Sequence, residues 1–122
     1  MADTEPLELH TRPGDVSGST VISVSGRLVM EHSFRFQEVW RSVQSEIVIF
    51  DFAGVIYADS CAIGSLVNAH VHFSRTGRKM ALAAVPERVK HLLAVTRVDT
   101  VLQLRPTVAE TEAALAASGA RA

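Results

Sequence analysis

An α/β domain, with a mixed sheet of about five strands and four helices, is the fold class this 122-residue sequence predicts. Three observations lead there. Two strand-like stretches near the N-terminus are separated only by a turn, which suits a hairpin. The most apolar run of the chain, residues 47–52, lacks alternation and so suits a strand covered on both faces. From that run onward strand-like and helix-like patterns alternate, implying parallel strands joined by right-handed crossovers. Hydrophobic residues at 48% and charged residues at 20% are ordinary for a folded chain of one-domain length.

The elements follow in order. Residues 7–11 alternate weakly and suit a short edge strand, closed by the turn signals Pro13-Gly14-Asp15 and Ser17-Gly18. Residues 20–25, with Val21, Ile22 and Val24, form the second strand. Phe36, Val39, Trp40 and Val43 recur at helical spacing and place a helix between Phe34 and Gln44. After the central strand, residues 54–58 read as a loop. Asp59 is then a good N-cap for a helix whose inner face carries Ile63, Leu66, Val67, His70 and Phe73 and which Gly77 closes. Residues 79–85 are a strand of small side chains. Pro86 suits the first turn of a third helix facing inward through Val89, Leu92 and Leu93. A short strand at residues 100–104 precedes Thr107-Val108-Ala109-Glu110, a capping-box pattern opening a last helix with Val108, Thr111 and Leu115 in line. The domain therefore spans residues 7–115, with flexible ends at 1–6 and 116–122.

Composition excludes several functions. Twelve Lys and Arg against thirteen Asp and Glu leave a net charge of −1, no excess to attract a nucleic-acid backbone. The single cysteine, Cys61, has no partner for an intrachain disulfide, and no apolar stretch is long enough to span a bilayer. A cytoplasmic protein without direct membrane contact is expected. His70 and His72, two apart on a helix, point to different faces, so no metal is expected. Gly14, Gly18 and Gly26 match no nucleotide fingerprint. Cys61 has no orienting base, and the sequence points to neither catalysis nor a cofactor.

The informative stretch is residues 51–66, where a buried strand gives way to a helix start, the usual place for a site in open α/β sheets. Val48-Ile49-Phe50-Asp51-Phe52-Ala53-Gly54-Val55 followed by Asp59-Ser60-Cys61-Ala62-Ile63-Gly64-Ser65-Leu66 resembles the STAS domain of bacterial anti-sigma factor antagonists. The family pattern is a strand ending Asp-Leu-Ser and then Asp-Ser-Ser-Gly-Leu-Gly. The likeness extends to Val24-Ser25-Gly26-Arg27-Leu28 and Gly77-Arg78-Lys79-Met80-Ala81-Leu82, and covers about residues 7 to 115.

The resemblance implies an interaction switch. Such antagonists bind an ATP-dependent serine kinase that also sequesters a sigma factor, which is thereby released. Phosphorylation of the second hydroxyl residue after the motif aspartate ends binding, and a phosphatase restores it. The partner-binding residues implied are Tyr57, Ala58, Asp59, Ser60, Cys61, Ala62, Ile63 and Ser65. Here the acceptor position is Cys61, leaving Ser60 as the nearest hydroxyl; Ala62 replaces a glycine and would crowd a partner. Val29 replaces an acid, and Arg97 replaces a glycine where a left-handed backbone is needed. Two alternatives stand beside the antagonist reading. One is a non-phosphorylated scaffold subunit of a lipid-transport ABC system or stress-signalling complex; the other is redox sensing by Cys61, opposed by the nearby charges of Asp51 and Asp59.

Overall fold

Five strands, β1 (Glu8–Pro13), β2 (Ser19–Leu28), β3 (Ile47–Ala58), β4 (Lys79–Ala83) and β5 (Leu104–Arg105), form one sheet in the order β1-β2-β3-β4-β5. The computed structural model describes residues 6–119. β1 and β2 pair antiparallel and every later pairing is parallel, so the sheet is mixed, as the hairpin and the alternating second half require. Helices α1 (Ser33–Ser42), α2 (Ser60–Arg75), α3 (Glu87–Val95) and α4 (Val108–Gly119) connect and flank the strands.

Strand periodicity divides the core into two layers. Ile22 and Val24 of β2, Val48, Phe50 and Phe52 of β3, and Met80 and Leu82 of β4 pack with Phe36 and Trp40 of α1, Leu66 and Phe73 of α2, and Val89 and Leu93 of α3. Val21, Ile47, Ile49, Ala81 and Ala83 meet Leu115 and Val108 of α4 on the opposite face. β3 is thus covered on both sides, which explains its non-alternating apolar run, broken only by Asp51. The alanines of β4 leave space for α4.

Several boundaries differ from the sequence reading. Residues 54–58 are strand, because β2 also runs on and pairs Ser25 with Gly54, Gly26 with Val55, Arg27 with Tyr57 and Leu28 with Ala58. Register shifts interrupt this pairing, and a Cβ on Gly54 would sit 2.6 Å from that of Ser25. The glycine is there for close strand approach rather than for a loop. Residues 98–100 form a single 3-10 turn and β5 starts only at Leu104, since Thr100 Oγ1 donates to Arg97 O at 2.7 Å and Val101 N to Val98 O at 2.9 Å. Pro86 lies just before α3, in extended backbone, rather than within its first turn. α4 continues to Gly119, four residues past the expected domain end; residues 1–5 and 120–122 of the expected flexible ends lie outside the described residues.

A candidate partner-binding site at the start of the second helix

The end of β3 delivers the chain to α2 through Asp59, whose extended backbone turns the side chain back over the helix. Its Oδ1 accepts the N–H of Ala62 at 3.0 Å, and its Oδ2 accepts that of Met30 at 2.9 Å. Its own N–H donates to Leu28 O at 3.3 Å. One carboxylate therefore caps α2 and ties the segment after β2 to the helix start, a link between residues 29 positions apart. The N–H groups of Ser60 and Cys61 meet no acceptor among the described residues, so the positive end of the α2 dipole faces outward.

The residues expected to touch a partner separate into two sets. Tyr57, Ser60 and Cys61 are exposed, and Asp59 is half-buried. The Arg27 guanidinium lies 4.9 Å from the centre of the Tyr57 ring and holds it in a cation–π contact. Ala58, Ala62, Ile63 and Ser65 are buried. Ser65 Oγ accepts from Trp40 Nε1 at 3.4 Å and joins α2 to α1. The Ala62 methyl belongs to the core cluster, so it fills space beneath the site; the expectation that it crowds a partner is corrected. Arg97 has φ of 64°, the left-handed conformation expected at this position, here adopted by a residue other than glycine.

Sequence reasoning missed three large apolar side chains left exposed, one of them tied to this start. Met30 is 65% exposed, Phe34 70% and Ile56 50%, large values for such residues. Met30 reaches the site only through the Asp59 bond, a tertiary contact without local signal. Ile56 has no cross-strand partner, because the β2–β3 register shifts between the Gly26–Val55 and Arg27–Tyr57 pairs. Beside Tyr57 and Ala58, a groove of about 320 Å³ runs along Arg88, His91, Leu92 and Val95 of α3. Among the described residues no group of three His, Cys, Asp or Glu side chains converges as a metal site, and no helix is long and apolar enough to cross a membrane.

A family profile for the STAS domain matches residues 7–111. The chain belongs to the STAS-domain family. Solved structures agree on the fold of this STAS domain. An anti-sigma factor antagonist from Mycobacterium paratuberculosis superposes with a TM-score of 0.77 at 19% identity, over 88% of this chain and 93% of that one. An anti-sigma-factor antagonist (STAS) domain protein from Planctomyces limnophilus gives 0.76 at 24% identity, over 88% and 97%. The STAS domain of a SulP transporter from Vibrio cholerae gives 0.62 at 18% identity, over 88% of each chain. Comparison with curated proteins finds no match.

Proposed function

We propose that this STAS domain is an anti-sigma factor antagonist-like interaction module, which binds a kinase-type anti-sigma factor in the cytoplasm and so releases a sigma factor. The observation that carries the reading is the outward-facing start of α2. There Tyr57, Ser60 and Cys61 are accessible, two N–H groups are free, and Met30 is tethered alongside by Asp59. Ala58, Asp59, Ala62, Ile63 and Ser65 support that surface from beneath and fix its shape.

Phosphate at this helix start would bring nearly two negative charges onto a surface that must be desolvated against the partner, while the helix dipole tolerates them. Cys61 occupies the family's acceptor position and has no hydroxyl. Ser60, the exposed first residue of α2, is the hydroxyl available to a kinase, with a phosphatase to reverse it. Cys61 also favours a second reading, a scaffold that is never phosphorylated, in a lipid-transport ABC system or a stress-signalling complex.

The test is affinity capture of the tagged chain from its native lysate, with and without ATP, read by mass spectrometry for partners and phosphosites. Recovery of a kinase-like anti-sigma factor is the expected result, and phosphate on Ser60 would establish the switch. Recovery of transporter subunits alone would overturn the antagonist reading in favour of the scaffold.

A further inference from the structure

A second polar concavity lies between α1 and α2, at the ends of both helices remote from the Asp59 cap. It measures about 390 Å³ and is lined by Gln37, Trp40 and Arg41 of α1, Asn68, Val71, His72 and Arg75 of α2, and Thr76, so that two apolar side chains stand among the polar ones. No Asp or Glu is among its lining residues. Behind it stands Arg78, which donates from Nε to Thr76 Oγ1 at 2.9 Å and from Nη1 to Val43 O at 2.7 Å and Ser45 O at 3.3 Å. Its Nη2 lies 3.2 Å from His72 Nε2. Because a guanidinium only donates, Nε2 must accept, and the neutral ring carries its proton on Nδ1. Arg78 is thus a fixed positive charge at the back of the groove.

Three guanidiniums, those of Arg41, Arg75 and Arg78, gather here, and none has a carboxylate within 4.0 Å among the described residues. Scarcity of acids is not the reason, since the chain has thirteen against twelve Lys and Arg. Nor do the helix ends account for it. The C-termini of α1 and α2 contribute about half a negative charge each, leaving an excess of about two positive charges. His72 registers that excess: its pKa is lowered by partial burial and then by the charges of Arg78 and Arg41.

We propose that this α1–α2 groove binds a small anion bearing at least two phosphate groups. Guanidinium forks match phosphate oxygens in pairs, the wall amides of Gln37 and Asn68 add donors, and the concavity exceeds the size of one phosphate. The site is separate from the α2 start, so its fate does not depend on the partner reading above.

Pyrophosphate titrated into the intact chain at low salt, followed by NMR of backbone amides and histidine rings, tests the proposal. Saturable shifts at Arg41, Asn68, His72 and Arg75 are expected, with tighter binding than for inorganic phosphate. The His72 midpoint should move up toward 6.5 at saturation, because bound negative charge offsets the guanidiniums. Arg41→Gln with Arg75→Gln should weaken binding by about tenfold or more. Both side chains are exposed, and an unchanged melting temperature would show that the variant folds. Arg12→Gln on the β1 edge should leave binding unchanged. Non-saturable shifts spread over the surface, or equal losses in the Arg12 and the Arg41/Arg75 variants, would overturn the proposal.

Discussion

Asp59 offers the sharpest test of how the site is held. Asp59→Ala removes both bonds of the carboxylate, to Ala62 N at 3.0 Å and to Met30 N at 2.9 Å. Loss of the cap is worth about 1 kcal/mol. The Met30 bond is exposed, so water replaces part of it, and its loss adds about 0.5–1 kcal/mol. The total is about 1.5–2 kcal/mol. Asp59→Asn keeps one acceptor oxygen and serves as a cap, but gives up the second acceptor and the charge facing the dipole, for about 1 kcal/mol. Urea unfolding is the assay: midpoints should fall in the order parent, Asn, Ala, with the slope unchanged. In a domain of this size the alanine variant should melt about 6–8 °C lower. Hydrogen exchange gives a local check, since the Met30 amide should be protected in the parent and lose protection in the alanine variant. If Asp59→Ala stays within about 0.3 kcal/mol of the parent, or Met30 exchanges equally in both, the carboxylate does not tie these segments together.

Three further outcomes are expected. Arg97→Gly relieves a left-handed residue and should stabilise the fold by about 1 kcal/mol, read as a higher urea midpoint; a loss of stability would mean the arginine side chain has a role of its own. Glu112, buried under the β1–β2 turn, accepts from Val16 N at 2.9 Å and from Ser19 Oγ at 3.4 Å, so Glu112→Ala should cost about 2–3 kcal/mol in the same assay and Glu112→Gln less. His72 has a folded pKa below its usual 6.5, through burial first and then Arg78 and Arg41. The unfolded chain therefore binds more protons over the interval between the two values, so stability should be complete above 6.5 and decline as pH falls from 6.5 toward the folded value. His72→Gln should flatten that part of a melting-temperature profile; an unchanged slope would assign the decline to other groups.

What the sequence determined by itself was the set of elements and their order, because local periodicity and end signals carry them. The i, i+3, i+4 stripe with Phe36 and Trp40 and the Asp59 cap are local facts, and each stands where the pattern puts it. The strand run 47–52 likewise announces a two-sided burial that the two core layers supply. The motif beginning at Asp59 was also legible, as a run of neighbouring residues. Tertiary structure decided everything that depends on a distant partner. Gly54 looks like a loop residue until Ser25 lies opposite, and then β3 extends to Ala58 and leaves Ile56 without a cross-strand partner at a register shift. Ile63 is buried as the helical stripe requires, whereas burial of Ala62 and Ser65 follows from how far α2 is rotated against the sheet and α1, and burial of Ala58 from the extension of β3. Met30 joins the site through one hydrogen bond across 29 positions, and Arg41, Arg75 and Arg78 converge only when α1 lies against α2. Periodicity reports which face of an element is inside; only packing decides which side chains from different elements meet at the surface.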